Sequence, residues 1–327
     1  MTLPPAVAAC RLAVRRRLSA CAPGDVVLVA CSGGADSLAL LAATVFEGTE
    51  AGLRVVGVTV DHGLQEGSGE RAAAVVLQMA ALGASETASA RVTVTAAGQG
   101  PEAAAREARY QVLSAMAARF GSSLVLLGHT LDDQAETVLL GLTRGSGARS
   151  LQGMRASYDE FVRPFLSITR AQTELACLAE GITWWVDPHN LDAAFTRSRL
   201  RAEVMPVLEA ELGPGVARAL ARTASQLRDD VAYLDDVADQ ALESLAELNV
   251  DQLGAMAPAV RRRVLRLAAV RAGAIDAELS YEHVLAIDAL ITDWRGQKWI
   301  DLPGHVRALR HDGRVVFEKA GFERVGP

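Results

Sequence analysis

A glycine-rich hexapeptide near the N-terminus has the residues needed to bind phosphate. It reads Ser32, Gly33, Gly34, Ala35, Asp36 and Ser37, and it follows an apolar run and precedes a helical pattern. The glycines let the backbone approach an anion, the serines add hydroxyl donors, and a helix N-terminus favours negative charge. The segment has no lysine, so it is not the loop GxxxxGK[ST]. The alternative is a tight turn in which Asp36 only caps the helix.

The carboxylate of Asp36 needs an explanation of its own. A negative side chain beside bound phosphates repels them unless a divalent cation lies between the two. The sequence therefore predicts that Asp36 binds Mg²⁺.

A second polar cluster follows the apolar run at 123–128. His129 comes at the end of that run, and Asp132, Asp133 and Glu136 fall in the first turns of the next predicted helix. Spacings of three and four residues put the three acids on one face, and the helix N-terminus offsets part of their repulsion. We interpret Asp133 and Glu136 as holding a cation, the alternative being an acidic helix start without a ligand. The apolar face predicted to be buried consists of Leu131, Ala135, Val138, Leu139 and Leu142.

Short apolar runs and the helical patterns between them must position these residues. The runs are 26–31, 53–60, 90–95 and 123–128, and the helical patterns cover about 37–47, 70–82 and 101–120. This alternation predicts an α/β fold with a parallel, doubly wound sheet and helices on both faces. Ligands of such sheets bind at the carboxyl ends of the strands, where both polar clusters are expected to lie.

A Gly-Pro-Gly break at 213–215 is the predicted domain boundary. It divides the chain into a catalytic domain, 1–213, and a smaller, mainly helical domain, 214–327. Helical patterns cover 216–248, about 256–272 and about 280–291. The remaining segment predicts a short β meander with turns at Pro303-Gly304 and Asp312-Gly313.

Composition excludes several classes of protein. Half of the 327 residues are apolar and 22% are charged, which is typical of globular domains and not of disordered chains. A net charge of −6 argues against bulk electrostatic binding of nucleic acid, so contacts with RNA need local basic patches. No apolar run approaches the roughly 20 residues of a membrane span, and Arg11 interrupts the stretch that a secretory signal would need. Four cysteines without a CxxC pair indicate a reducing compartment, so we expect a cytoplasmic protein with no membrane partner.

Longer motifs give the sequence a specific resemblance. The hexapeptide resembles the PP-loop of ATP pyrophosphatases, and GHTLDDQAETVLLGLTRGSGARSLQGM at 128–154 resembles a stretch of the tRNA(Ile)-lysidine synthetase family. Matching pieces follow in family order: Asp61-His62-Gly63-Leu64, Glu102, Ala105-Arg106, Arg109-Tyr110, Arg163-Pro164 and the segment 187–201. The resemblance is dense over about 25–210, looser beyond, and closest to the short form of the family.

The resemblance implies a Rossmann-like PP-loop ATPase domain followed by a mainly helical domain that binds tRNA or substrate. It implies an AMP-forming ligase that adenylates the wobble cytidine of an isoleucine tRNA with a CAU anticodon. L-Lysine then displaces AMP through its ε-amine and forms lysidine at the 2-carbonyl carbon. The implied ligands are ATP, Mg²⁺, L-lysine and tRNA. The oligomeric state stays open, a homodimer included.

The same resemblance assigns site residues by motif match. Catalysis is assigned to Asp36, His129, Asp133, Glu136 and Arg109, ATP binding to residues 32–37, substrate binding to Arg106, Arg197 and Arg201, and metal binding to Asp36 and Asp133. Individual roles stay open. Asp133 and Glu136 hold either Mg²⁺ or the lysine ammonium, and His129 contacts phosphate or positions a reacting group. Thr130 stands where the family often has a second histidine, so no role rests on that position.

Two other functions fit parts of the sequence. A tRNA thiolase of the same superfamily needs reactive or cluster-binding cysteines, whereas Cys31 is expected to be buried on a strand. A non-catalytic RNA-binding relative would not need Asp36, Asp133 and Glu136, which are all present. Consumption of ATP with isoleucine tRNA and lysine discriminates among the three.

A dense arginine cluster lies in the second predicted domain. It consists of Arg261, Arg262, Arg263, Arg266 and Arg271. An apolar stripe of Val260, Val264, Leu267 and Ala268 predicts that most of these arginines lie on or near the solvent side of a helix. Two interpretations stay open: the arginines bind tRNA phosphate, or they pair with the acidic run 229–247.

Overall fold

The computed structural model describes residues 3–61, 67–92, 101–145, 147–187 and 195–320. The chain forms two compact units. One consists of Met1–Leu139 with Gly153–Arg222, and the other of Leu140–Gln152 with Thr223–Pro327. The first unit is therefore interrupted in sequence by a short segment of the second.

The first unit alternates helices and strands. Its elements are α1 (Pro5–Leu18), β1 (Val26–Ala30), α2 (Ala35–Glu50), β2 (Arg54–Asp61), α3 (Ser68–Ala81), β3 (Glu86–Arg91), α4 (Pro101–Phe120), β4 (Leu124–Leu127) and α5 (Leu131–Arg144), the last of which continues into the second unit. After α6 (Ala148–Leu151), which belongs to the second unit, come β5 (Ser157–Tyr158), β6 (Phe161–Val162), α7 (Arg170–Ala179), α8 (Thr196–Arg199), a π-helical turn (Leu200–Val204) and α9 (Met205–Glu211).

Six strands in the described part of the chain form one sheet in the order β3-β2-β1-β4-β6-β5. β1 pairs in parallel with both β2 and β4, and only β5 runs antiparallel to its neighbour. The predicted α/β class with a largely parallel sheet is therefore confirmed. Because the strand order reverses at β1, the loop after β1 opens at the point where such sheets bind ligands.

Alternate residues of β1 explain why both faces of the sheet are covered. Val27 and Val29 pack with α1, α2 and α7, whereas Leu28 packs with α4, and all three side chains are fully buried. A strand buried on both faces reads as a continuous apolar run, as this one does.

Two local predictions are wrong. β3 lies at Glu86–Arg91, several residues before the predicted 90–95, of which 93–95 fall outside the described residues. The register with β2 fixes this edge strand, although the Val-Thr alternation after it has the stronger β-propensity. In α5, Leu131, Ala135 and Val138 are buried, but Leu142 is 53% exposed because the chain leaves the first unit at Leu139.

The second unit packs helices and a meander around its own core. Its further elements are α10 (Val216–Ser244, beginning in the first unit), α11 (Val250–Ala255), α12 (Pro258–Arg271), α13 (Tyr281–Thr292), β7 (Ile300–Leu302), β8 (Val306–His311) and β9 (Arg314–Lys319). The three strands form an antiparallel sheet, which confirms the predicted meander. Its core includes Leu253, Leu265, Ile287 and Val306. Among the described helices, none combines the length and hydropathy of a membrane span.

Candidate active site

The predicted phosphate loop joins the end of β1 to the N-terminus of α2. The backbone N–H of Ser32 donates to the Ser37 hydroxyl at 3.1 Å, and that hydroxyl donates to the carbonyl oxygen of Gly34 at 2.9 Å. These bonds close the turn on itself at the helix N-terminus, where the first N–H groups of a helix have no acceptor within it and can serve as anion donors. Gly33 has φ +85°, and a Cβ there would lie 2.8 Å from Val75, so a side chain is excluded on both grounds.

A second glycine brings β4 against this loop. A Cβ on Gly128 would lie 3.1 Å from the Cα of Ser37 and 3.2 Å from the carbonyl group of Asp36. The close approach lets the segment after β4, with His129 and the start of α5, lie beside the phosphate loop. The two polar clusters of the sequence therefore belong to one site.

The centre of this site is a group of three carboxylates and two guanidiniums, which we call the acid–arginine cluster: Asp36, Asp133, Glu136, Arg170 and Arg201. Arg170 lies 3.4 Å from Asp36, 2.9 Å from Asp133 and 3.7 Å from Glu136. Arg201 holds both oxygens of Glu136, at 2.8 and 3.0 Å, and lies 3.3 Å from Asp133. The structure thus brings Asp36, Asp133 and Glu136 together, and each carboxylate forms an ion pair with at least one arginine.

Further hydrogen bonds fix two of the carboxylates. The Thr173 hydroxyl donates to Asp36. The backbone N–H of Thr130 donates to Asp133 at 2.8 Å, and the hydroxyl of Thr130 does so at 3.0 Å. Asp132, the neighbouring acid, instead accepts the backbone N–H of Arg170 at 2.7 Å. Asp132 therefore anchors the start of α7 while Asp133 and Glu136 face the arginines.

The two aspartates of the cluster titrate in opposite directions. Burial raises the pKa of Asp36 above 3.8 even though Arg170 and Thr173 oppose this effect. Burial also raises the pKa of Asp133, but Arg170, the Thr130 N–H and Arg201 together bring it below its ordinary value. Of these two aspartates, Asp36 is therefore the one whose charge is less compensated by the protein.

His129 is a neutral imidazole in this site. Burial, with the nearby guanidinium of Arg163, lowers its pKa to about 3 against the opposing charge of Asp133. Arg163 Nε donates to Nδ1 of His129 at 3.2 Å, so the ring proton is assigned to Nε2. His129 can donate a hydrogen bond through Nε2, but it brings no positive charge to a phosphate.

The predicted substrate arginines lie around this centre. Arg106 donates to the Tyr110 hydroxyl at 3.3 Å, and Arg197 donates to Thr137 at 3.1 Å. Burial lowers the pKa of Arg109, and the charges of Arg106 and Arg197 lower it further. Arg106 and Arg197 therefore lie close enough to Arg109 to repel its guanidinium.

Sequence reasoning missed Arg170 and gave Arg163 no role. Arg170 is the first residue of α7, whose N-cap Thr169 and Gln172 form a capping box. That T-x-x-Q pattern is the one local signal that could have predicted a helix start here.

Several other motif residues, namely His62, Gly63, Leu64 and 188–194, lie outside the described residues, as do the side chains of Glu102 and Ala105.

The cysteines do not support sulfur chemistry. All four are free thiols, and burial raises the pKa of Cys31 to about 12. A buried thiol with a raised pKa is a poor nucleophile. No group of three or more His, Cys, Asp and Glu side chains in the described part of the chain is arranged to hold a metal by itself.

The arginines of α12 pair with carboxylates. Arg263 lies 3.0 Å from Asp235, and Arg271 lies 3.1 Å from Asp239, both within the acidic run 229–247. Arg261 is buried and lies 2.6 Å from Asp288, and Arg262 pairs with the same carboxylate. Arg261 is the exception to the prediction that most of these arginines lie on or near the solvent side, because Leu265 and Ala269 place the buried face of the helix on its side.

Comparisons with known proteins agree on one family. A family model of the PP-loop domain matches residues 12–208, and a model of the TilS substrate binding domain matches residues 248–316. The tRNA(Ile)-lysidine synthase of Thermobifida fusca is 52% identical over 317 residues, covering 96% of this chain and 98% of the relative. That of Streptomyces coelicolor is 51% identical over 348 residues, covering 96% and 99%.

One solved structure shows the fold at low identity. The U34-tRNA thiolase NcsA from Methanococcus maripaludis, solved with its 4Fe-4S cluster, has a TM-score of 0.57 and 16% identity. The match covers 68% of this chain and 79% of the thiolase. At this identity the likeness concerns the fold alone.

Proposed function

Because this chain belongs to the tRNA(Ile)-lysidine synthase family, we propose a role in that reaction for each part of the site. The chain is an ATP-dependent ligase with tRNA(Ile)-lysidine synthase activity, and its substrates are ATP, lysine and an isoleucine tRNA. The proposed acceptor is the wobble cytidine of a CAU anticodon. In the first step the 2-carbonyl oxygen attacks the α-phosphorus of ATP, and pyrophosphate leaves. In the second, the ε-amine of lysine attacks the 2-carbon, loses its proton, and AMP leaves.

The phosphates of ATP are proposed to bind at residues 32–37. The observation that supports this most directly is the closed turn at the N-terminus of α2, where Gly33 and Gly34 leave no side chain over the backbone donors. Helix N-termini of this kind favour anions through both hydrogen bonds and the helix dipole. Ser32 is exposed and adds its hydroxyl.

Asp36, with Asp133 beside it, is the proposed Mg²⁺ site. The residues fit such an ion because Asp36 is the carboxylate of the cluster with the raised pKa, and a cation would supply the missing charge. Mg²⁺ commonly binds through one or two carboxylates together with substrate phosphates, so a larger protein cage is not needed. When bound, the ion would neutralise charge on the phosphates of ATP.

Glu136, the carboxylate of the cluster left for lysine when Asp133 is assigned to Mg²⁺, is proposed to hold the ε-ammonium. It is buried, and both of its oxygens accept hydrogen bonds from Arg201, so it has the charge and geometry that a cationic side chain requires. An ammonium placed here has Arg170 and Arg201 as neighbours. The carboxylate favours the ammonium form on binding, whereas the like charges of the two arginines lower the pKa of the amine and ease the loss of the proton that must precede attack on the 2-carbon.

The arginines outside the cluster are proposed to face the RNA. Arg109 is buried and both Arg106 and Arg197 repel it, so an anion beside Arg109 would be favourable. A phosphate group of tRNA carries such a charge. His129 is proposed to position a reacting group through a hydrogen bond from Nε2.

Separate assays of the two steps test these roles. Formation of AMP and pyrophosphate is followed with labelled ATP, and transfer is followed with labelled lysine, both with isoleucine tRNA. Asp36→Asn is expected to abolish both signals. Glu136→Gln is expected to retain adenylation and to lose most of the transfer, because the neutral amide no longer attracts an ammonium.

Glu86→Gln is the matched control, since Glu86 pairs with Arg54 at the surface of the sheet edge and makes the same change of charge. If Glu136→Gln loses adenylation and transfer together, the carboxylate serves ATP or its metal instead of lysine. Near wild-type turnover of Asp36→Asn at saturating Mg²⁺ would contradict the metal assignment. The cytoplasmic location and the oligomeric state stay predictions.

A further inference from the structure

The segment 182–185 lies against the phosphate loop in the first unit. It follows the end of α7, where the N–H of Ile182 donates to the carbonyl oxygen of Cys177 at 2.8 Å. Three residues later, the N–H of Trp185 donates to the carbonyl oxygen of Gly33 at 3.0 Å. This bond reaches the loop from outside, in addition to the bonds that Ser37 makes within it. The reaction roles proposed above give the segment no part.

One face of α3 supports both the segment and the loop. Arg71, Val75 and Gln78 recur at spacings of four and three residues, so they share that face. The guanidinium of Arg71 lies 3.7 Å from the centre of the Trp185 ring, and the Gln78 amide donates to a carbonyl oxygen of the segment. Val75 fills the space that a side chain on Gly33 would need. The segment is therefore held between α3 and the loop.

The bond from Trp185 sets the direction of one N–H group in the loop. The peptide between Gly33 and Gly34 is trans, so its C=O and N–H point in opposite directions. Because Trp185 holds the C=O, the N–H of Gly34 points away from the segment. Glycine accepts positive and negative φ alike, so the loop's own residues oppose rotation of this peptide only weakly. A rotated peptide would present a carbonyl oxygen to a bound anion in place of a donor.

We propose that Trp185 is a positioning residue for ATP that acts through Gly33 and keeps the N–H of Gly34 directed at the phosphates. Arg71 in turn keeps Trp185 in place through its contact with the indole ring. The ligand class is a polyphosphate, whose oxygens accept hydrogen bonds from backbone N–H groups at a helix N-terminus. This inference rests on the proposed binding of ATP phosphates at residues 32–37.

Binding of ATP and of inorganic triphosphate to the full chain tests the proposal. Both affinities are measured by isothermal titration calorimetry with Mg²⁺, without tRNA or lysine. Trp185→Pro removes the N–H and is expected to weaken both ligands about fivefold, the equivalent of one hydrogen bond. Trp185→Ala keeps the N–H but loses the ring under Arg71, so a loss of about threefold is expected. Trp185→Phe keeps both groups and is expected to bind like the wild type.

Steady-state kinetics separate positioning of the phosphates from a general structural effect. In Trp185→Ala the KM for ATP is expected to rise about threefold while the KM for lysine stays unchanged, because lysine is proposed to bind at Glu136 instead. An equal rise of both constants would show that the variant disturbs the whole site, and it would overturn the proposal.

Trp299→Ala is the matched control for Trp185→Ala. Trp299 is also a tryptophan with a guanidinium over its ring, that of Arg307 at 4.5 Å, but it belongs to the second unit. The control makes the same change of side chain and is expected to leave the affinities for ATP and triphosphate unchanged.

Hydrogen exchange of the wild type decides the matter if Trp185→Pro fails to fold by circular dichroism. The amide of Trp185 is expected to exchange at least about fivefold more slowly with triphosphate bound, because the phosphates hold the peptide between Gly33 and Gly34 in place. Unchanged exchange, wild-type affinity of the folded proline and alanine variants, or an equal loss in Trp299→Ala would overturn the proposal.

Failure of the proposed function gives a different result. A wild-type chain that binds neither ATP nor triphosphate would contradict the phosphate site itself and this inference with it. A wild-type chain that forms no lysidine, with triphosphate binding that still depends on Trp185, would contradict the proposed function and support the positioning role.

Discussion

Replacing Arg170 by alanine tests the acid–arginine cluster most directly. Its guanidinium is only 22% exposed and contacts Asp36, Asp133 and Glu136. Removing one partner from a buried ion pair costs about 3–5 kcal/mol, because the remaining charge is left buried. Arg201 still contacts Asp133 and Glu136, so we expect roughly half of that, about 2 kcal/mol in the free energy of unfolding. For a unit of this size the Tm falls by about 4–8 °C.

The loss is expected to depend on pH. Arg170 lowers the pKa of Asp133, and a carboxylate whose folded pKa lies below 3.8 stabilises the fold above that pH and loses this contribution as the pH falls through the folded value. Without Arg170, the pKa of Asp133 and that of Asp36 both rise. The difference in Tm between variant and wild type is therefore largest near about pH 7 and shrinks toward about pH 4.

Differential scanning calorimetry at several pH values measures this effect. Arg170→Lys keeps the charge but not the planar fork, so it should recover part of the loss. Arg54→Ala removes an exposed ion pair and should change the Tm little. An Arg170→Ala protein as stable as the wild type, or a Tm difference that does not vary with pH, would refute the electrostatic account of the cluster.

Three further predictions concern other charged groups. The pKa of His129 is about 3, so its ring does not titrate between about pH 6 and 8. The pH profile of kcat/KM in that range should therefore have the same shape in the wild type and in His129→Asn. An inflection near about pH 6.5 that disappears in the variant would contradict a neutral imidazole. Asp288→Asn leaves Arg261 buried without its counter-ion and should cost about 3 kcal/mol in urea unfolding, whereas an unchanged midpoint would show that the pair is dispensable. The double variant Arg263→Gln, Arg271→Gln loses two ion pairs with the acidic run 229–247, so its Tm should fall. Its affinity for tRNA and the salt dependence of that affinity should stay unchanged. A flatter salt dependence would instead indicate that these arginines contact phosphate.

The sheet could be predicted from the sequence because its signals are local. The run Val26–Ala30 is apolar throughout since both faces of β1 are covered, and the glycines after it are required by the turn itself. The carboxylates of α5 were predicted to share a face from spacing alone, and the ion pairs of Asp133 and Glu136 confirm that placement. Patterns of this kind need no knowledge of distant parts of the chain.

The arginine partners could not be predicted in the same way. Arg170 lies 134 residues from Asp36 in sequence, and no spacing rule connects them. The burial of Arg261 could not be predicted either. Its charge can be buried only because Asp288, on another helix, pairs with it. The pairing of acids with distant arginines is therefore a property of tertiary structure, and periodicity assigns such arginines to solvent by default.

The order of residues in the acid–arginine cluster has a consequence for synthesis on the ribosome. The three carboxylates are translated first, and Arg201 follows Glu136 by 65 residues. At the usual 5–20 residues per second, the nascent chain carries the acids without this arginine for about 3–13 s. If the acids were buried during that interval, their negative charges would lie in the core without this counter-ion. We therefore expect the turn from β4 into α5 to settle late in translation, and the sheet strands that contain no acids to assemble before it.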